Sequence, residues 1–307
     1  MVRISTPAAW DITTGSADSV VAVVDTGYNY NHEDLAGNVW SAPTDFTVAI
    51  SGVDITCAAG THGFNAINRT CDPFDDHGHG THTSGTVGAV GNNGIGVVGV
   101  SWTTSVMGAK FISAGGSGTT ADAIAAIEFT IQAKAILGLG ANVRVLSNSW
   151  GGGGFSSALR DEIVSARDND MLFVAAAGNN ASNNDLIPHY PSSYDVENII
   201  AVLATTSADT RASFSNWGRN TVHLGAPGVS ILSTSRAGGY VNMSGTSMAA
   251  PHVSGAAALV LSACWVDTPT LKQLLLGNVD PIDALSLITI TGGRLNVFQA
   301  LRACVPP

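Results

Sequence analysis

An α/β fold, with a mostly parallel sheet covered by helices on both faces, is predicted by three features of the chain. Short β-branched apolar runs recur along it, helical stretches separate them, and no linker or internal repeat breaks the alternation. Such a sheet binds its ligands at the carboxyl ends of the strands. The first run, Val20 to Val24, ends on Asp25-Thr26-Gly27 and so delivers a carboxylate to that edge. Further strands are predicted at Ser105 to Phe111, Val143 to Asn148, Met171 to Ala176, Ile199 to Ala204 and Thr221 to Leu224. Between them, Thr120 to Leu137 and Ser157 to Asn169 read as helices. Ser247 to Cys264 follows Gly245-Thr246 and is Ala-rich and apolar on nearly all sides, which suits a buried helix. Thr268-Pro269 opens another helix, and Gly292-Gly293 makes a turn before a last one at Val297 to Arg302.

Composition narrows the function classes. A length of 307 residues allows one large domain or two. With 45% hydrophobic and 12% charged residues the chain is not disordered and can bury a substantial core. Its net charge of −10 has the wrong sign for phosphate backbones or anionic bilayers, so neither nucleic acid nor membrane is an expected partner. No apolar run of membrane-spanning length is expected, and the first residues lack a basic-then-apolar leader; the start reads as a cut. The cysteines fall as two pairs, Cys57 with Cys71 and Cys264 with Cys304, without the spacings that zinc requires. Two disulfides in an oxidising compartment are expected, free buried thiols being the alternative.

Three Gly-rich segments carry reactive side chains: Asp25-Thr26-Gly27, Gly78-His79-Gly80-Thr81-His82, and Gly245-Thr246-Ser247-Met248-Ala249-Ala250-Pro251-His252. A hydroxyl nucleophile needs a base, and the base needs an orienting acid. Singly, each also reads as an acid ending a strand, a loop histidine, or a helix-capping serine. Together, in the order Asp, His, Ser, they resemble the subtilase family of serine proteases. The likeness runs from Ala8 to Leu301 and includes Thr81-His82-Thr83-Ser84-Gly85-Thr86 and Ala256-Ala257-Ala258-Leu259. It implies a three-layer subtilisin-like fold in which a buried helix carries the nucleophile Ser247, with His79 as general base and Asp25 holding its tautomer. His82 and His252 are expected to be structural, and His77 has no assigned role. Ala175-Ala176-Ala177-Gly178-Asn179 resembles the segment that supplies the oxyanion donor, which makes Asn179 that donor together with the Ser247 backbone N–H.

The same resemblance implies that extended peptides lie between Lys110 to Gly118 and Ser149 to Gly152, with Gly116, Ser117, Gly118, Ser149, Trp150 and Gly151 in contact. Ser149 to Gly151, with Ala175 to Gly178 and hence Ala177 and Gly178, would wall the pocket for the residue before the scissile bond. An apolar pocket of this kind predicts a broad preference for large hydrophobic residues. His189 stands where many members have Gly, so it would shorten the pocket or offer a partner to acidic or polar groups.

Calcium is the implied cofactor, with a structural role: the Asp34 carboxylate, the Asn93 side chain and the carbonyls of Gly91, Ile95 and Val97 would be its oxygen ligands. Between Leu35 and His79 the chain is longer than the bacterial family members, and a Cys57–Cys71 bridge would clamp the surface loop 61–70 inside that extra length. Asp72, Asp75 and Asp76 follow as a second calcium site, an acidic rim or a solvated turn. A Cys264–Cys304 bridge would tie the C-terminus to the core. Asn68, Asn180 and Asn242 begin glycosylation sequons. These features describe residues 1–307 as one catalytic domain of a secreted, monomeric endopeptidase, made with an inhibitory propeptide. A narrow processing protease and an inactive binding module of the same fold are the rival readings.

Overall fold

The computed structural model describes residues 1–305. Its strands are β1 (Gly15–Asp25), β2 (Phe46–Ile50), β3 (Val53–Cys57), β4 (Gly63–Asn65), β5 (Thr103–Lys110), β6 (Val143–Asn148), β7 (Leu172–Ala176), β8 (Ile199–Thr205), β9 (Leu224–Pro227), β10 (Ile231–Thr234), β11 (Tyr240–Met243), β12 (Asp280–Pro281) and β13 (Gly293–Arg294). The helices are α1 (Thr6–Trp10), α2 (His79–Gly88), α3 (Thr120–Leu137), α4 (Ser157–Asp168), α5 (Thr246–Ala263), α6 (Thr268–Gly277) and α7 (Val297–Cys304).

Nine strands form one sheet in the order β12-β13-β9-β8-β7-β6-β1-β5-β4, parallel throughout except for β12 against β13. β1 shows why the sheet must be covered twice. Val20, Ala22 and Val24 point into a core shared with Ala126, Ile127 and Phe129 of α3 and Ile163 of α4. Val21 and Val23 point the other way, toward Ala249, Val253, Ala256 and Ala257 of α5. Each buried valine contributes roughly 1.5–3 kcal/mol relative to exposure, so neither face can be left to water. β1 lies between β5 and β6, so the chain leaves β1 on one side and returns on the other. The crevice outside the carboxyl ends of β1 and β6 at that reversal is where such sheets bind ligands.

Several elements differ from expectation. Helix α2 went unpredicted because it is built of Gly, Thr, Ser and His, poor helix formers, with residues 80–88 all buried. The hairpins β2–β3 and β10–β11 were missed too, although β2 alternates buried and exposed residues strictly. The strand predicted at Thr221 to Leu224 begins only at Leu224, because the Thr221 hydroxyl donates to Asp185 (2.7 Å) and holds the preceding residues in a turn. The 61–70 loop is not wholly superficial: Gly63, Phe64 and Asn65 are buried as edge strand β4, paired to β5. The stretch Thr120–Ala141 is long and apolar enough to cross a membrane, contrary to the sequence expectation; here its apolar residues Ile127 and Phe129 are buried in the core. All four cysteines are paired as expected, Cys57 with Cys71 (Cα–Cα 5.6 Å) and Cys264 with Cys304 (6.3 Å).

Candidate active site

β1 ends in the fully buried Asp25. Its carboxylate accepts a hydrogen bond from the Thr26 N–H (2.7 Å) and lies 2.8 and 3.0 Å from Nδ1 of His79. Since the carboxylate accepts, Nδ1 carries the proton and Nε2 is left with a free lone pair. His79 is the first residue of α2, and a close backbone contact brings that helix against the strand end. A Cβ on Gly80 would lie 2.0 Å from the Gly27 carbonyl oxygen, so only glycine fits.

The turn before α2 is organised by Asp75, whose carboxylate is fully buried. One oxygen accepts from the His77 and Gly78 N–H groups (both 2.9 Å), the other from the Thr81 N–H (3.0 Å) and hydroxyl (2.6 Å). Gly78 has no side chain to cap the helix, and Asp75 does so from three residues earlier. Burial alone would lower the His79 pKa, but the charge and hydrogen bond of Asp25, aided by the charge of Asp75, outweigh it and raise the pKa above the ordinary value.

Ser247 is the second residue of α5, where the backbone N–H has no intrahelical acceptor. Asn179 follows β7. Its Oδ1 accepts from the Thr246 N–H (2.8 Å) and hydroxyl (3.0 Å), which leaves Nδ2 as a free donor. A Cβ built on Gly245 would lie 3.6 Å from both Asn179 Nδ2 and Ser247 N, so the two donor nitrogens lie close to the same point. Pro251 also acquires a local role. Lacking an N–H, it leaves the Ser247 carbonyl without its usual partner four residues on, and the Ser149 hydroxyl donates there instead (2.8 Å). In return the Ser247 hydroxyl donates to the Ser149 carbonyl (2.8 Å). No hydrogen bond joins Ser247 to His79 in this arrangement. The Ser247 side chain must rotate before its proton can pass to Nε2, and such contacts commonly tighten only with substrate.

His79 and Ser247 open onto one cleft of about 550 Å³, which is also lined by Gly116, Ser117, Gly118, Ser149, Trp150, Gly151, Gly178, Asn179 and His189. Ala177 is the exception among the predicted contacts. Its side chain packs away from the cleft with Leu203, Val222 and Leu285, and Ala176 lines the wall in its place. Two residues inside the quoted segments gain roles the sequence reading did not give them: Thr246 aims Asn179, and the Phe111 ring meets Trp150 edge-on at 4.7 Å. His77, which had no role, lines the same cleft and its Nδ1 accepts the His79 N–H at 3.3 Å.

Residues 16–289 match the subtilase family. The chain belongs to that family. It is a subtilisin-like serine endopeptidase domain with the three-layer α/β fold. It is 37% identical over 296 residues to a thermophilic serine proteinase of Bacillus sp. (strain AK1), covering 96% of this chain and 65% of that protein. Thermitase of Thermoactinomyces vulgaris is 35% identical over 300 residues, 98% of this chain and 94% of thermitase. An extracellular protease of Xanthomonas campestris pv. campestris is 37% identical over 289 residues, 88% of this chain and 48% of that protein. The chain thus spans about two thirds of the first relative and about half of the third.

In this subtilase Asp34 is fully buried and does meet the 91–97 loop, as the sequence implied. Its carboxylate accepts from the Asn93 side-chain N–H (2.7 Å) and the Val97 N–H (2.9 Å), while the Asn93 Oδ1 accepts from Ile95 N–H (3.2 Å). Among the described residues no group of three or more His, Cys, Asp or Glu could hold a metal. A cation here would therefore rest on one carboxylate plus amide and main-chain oxygens, a donor set that suits calcium once the Asn93 carboxamide turns its oxygen inward. Of the readings left open for the three acids after Cys71, a second calcium site, an acidic rim or a solvated turn, none describes all three among the described residues. Asp75 caps α2, Asp76 pairs with the buried Lys110 Nζ (2.6 Å), and Asp72 accepts from the Tyr30 hydroxyl (3.0 Å). His82 and His252 are buried away from the cleft: Nε2 of His82 meets the Ile231 and Val241 carbonyls (3.0 and 3.2 Å), and Nδ1 of His252 meets the Met248 carbonyl (2.8 Å). Burial lowers the pKa of both, that of His252 to about 3, so each stays neutral as a structural donor.

Proposed function

We propose that this subtilase hydrolyses peptide bonds in extended polypeptides through Asp25, His79, Ser247 and Asn179. The observation that carries the reading is the Asp25–His79 contact at 2.8 Å, which fixes the tautomer whose Nε2 faces the cleft shared with Ser247. Ser247 Oγ attacks the scissile carbonyl and His79 takes its proton. Asn179 Nδ2 and the Ser247 N–H receive the oxyanion. His79 then protonates the leaving amine, and water, activated by the same imidazole, releases the acyl group from Ser247.

Gly116, Ser117 and Gly118 on one side and Ser149, Trp150 and Gly151 on the other would hold the substrate backbone. The walls formed by Ser149 to Gly151 on one side and by Ala176 and Gly178 on the other favour an uncharged side chain before the cleaved bond. The engagement of Asp75 and Asp76 within the fold argues against an acidic pocket for paired basic residues. We read the described chain as one catalytic domain, since all four chemical groups come from a single sheet and the helices packed on it. Secretion is inferred from the paired cysteines and from a relative named as an extracellular protease. A propeptide bound along the cleft and a monomeric state follow from the family resemblance.

Calcium would be held by Asp34, Asn93 and the carbonyls of Gly91, Ile95 and Val97, where it would neutralise a buried carboxylate that forms no salt bridge among the described residues. The function is tested by hydrolysis of fluorogenic peptides before and after Ser247→Ala. Loss of turnover supports the assignment, and surviving turnover refutes it.

A further inference from the structure

His189 lines this cleft. The imidazole is wedged between the two walls of the pocket: its Cε1 would lie 2.1 Å from a Cβ on Gly151, and its Nε2 2.9 Å from a Cβ on Gly178. Two glycines facing each other across this ring are what allow it to sit there. Its orientation is held from behind. The Ser192 hydroxyl donates to the His189 carbonyl (2.8 Å), so Ser192 Oγ has only lone pairs left for the ring, and Nδ1 at 3.2 Å must be the donor. The His189 backbone is fixed as well, with its N–H donating to the Ser193 hydroxyl (3.0 Å) and its carbonyl accepting from the Ser193 N–H (2.8 Å). With Nδ1 protonated, Nε2 is an acceptor. It makes no hydrogen bond among the described residues, and His189 lines the cleft. Burial lowers the pKa of the ring, which keeps it uncharged.

We propose that His189 turns the end of this pocket into a hydrogen-bond acceptor, so that the enzyme prefers a side chain ending in an N–H donor over an apolar one of equal length immediately before the scissile bond. This rests on the reading that the pocket between Gly151 and Gly178 receives that residue. Glutamine is the side chain that fits. It reaches as far as methionine, fits a pocket shortened by the ring, and brings an amide N–H to Nε2. An apolar chain of the same length would strip water from Nε2 and leave the lone pair without a partner, and sites built around such a group discriminate strongly against ligands that cannot satisfy it. Glutamate has the wrong character, since its carboxylate would meet a lone pair. The preference for large apolar residues expected from sequence is thereby narrowed to shorter and polar ones.

The test compares kcat/KM at pH 8 for three peptides that differ only in Gln, Met or Glu before the cleaved bond. Gln is expected to exceed both of the others by about tenfold. In His189→Phe, which retains a ring but offers no acceptor, the Gln-to-Met ratio should fall to about one or below. Ser192→Ala, which removes only the anchor of the ring, should lower the ratio by a smaller amount. Equal cleavage of Gln and Met peptides by the unmodified protein, or a ratio that His189→Phe leaves in place, would overturn the role of His189 while leaving the protease reading intact. Faster cleavage after Glu than after Gln would show a donor in place of an acceptor and overturn it too. Cleavage of none of the peptides would overturn the protease reading on which it rests.

Discussion

Replacing Asp75 by Asn separates the contribution of the turn before α2 from that of the triad itself. Asp75 touches no predicted substrate position, yet it accepts four hydrogen bonds, three from backbone N–H groups and one from Thr81 Oγ. An Asn side chain keeps the shape but has one acceptor oxygen. If that oxygen stays with His77 and Gly78, an NH2 group faces the Thr81 N–H and hydroxyl. One buried N–H without an acceptor costs about 1–3 kcal/mol, and bonds to a charged acceptor exceed neutral ones by about 1 kcal/mol each. The expected loss is about 3 kcal/mol of unfolding free energy, measured by guanidinium denaturation in a Ser247→Ala background to prevent autolysis. A second readout follows from charge. The carboxylate of Asp75 helps to raise the His79 pKa, so the variant should move the acid limb of kcat/KM to lower pH. The sign is consistent with linkage. The folded-state pKa of His79 is raised, so its contribution to stability is complete below the unfolded value near 6.5 and is lost as pH rises through the folded value. Removing the Asp75 charge shrinks that window. A stability change below about 0.5 kcal/mol together with an unmoved acid limb would refute the role assigned to Asp75.

Other perturbations have defined outcomes. Asn179→Leu should lower kcat by about 10²–10³ with little change in KM, the magnitude known for the oxyanion donor of subtilisin; an unchanged kcat would remove Asn179 from the oxyanion site. EDTA should lower the melting temperature of the protein but not that of Asp34→Asn, and identical melting curves with and without EDTA would end the calcium assignment. Replacing both Cys57 and Cys71 by Ser should destabilise by about 3 kcal/mol, given a sequence separation of 14, and chemical denaturation reads it directly; no loss would mean that the loop is held by β4 pairing alone.

The parts of this molecule legible in the sequence are those where local pattern and tertiary role agree. The second half of β1, Val20 to Val24, announced itself because a segment buried on both faces must be apolar, and the terminal Asp25 could then be placed at the binding edge. The buried helix α5 was equally plain from its run of Ala. Helix α2 was not, since its residues are chosen to fit between β1 and α5 and have little helix propensity of their own. The role of Asp75 stays open in the sequence because three nearby acids look alike there, whereas burial separates them. The orientation of Ala177 depends on the register of the turn after β7, which no local pattern fixes. The role of Pro251 was likewise hidden, because it lies in the hydrogen bond the proline does not make and in the Ser149 hydroxyl that replaces it.

The central claim is that Ser247 is a nucleophile activated by His79. Intact-mass and peptide mass spectrometry after treatment with a fluorophosphonate tests it most directly. One adduct per chain on Ser247, strongly slowed in His79→Ala, is the result expected. An adduct on a different serine, or labelling of Ser247 at the same rate without His79, would contradict it.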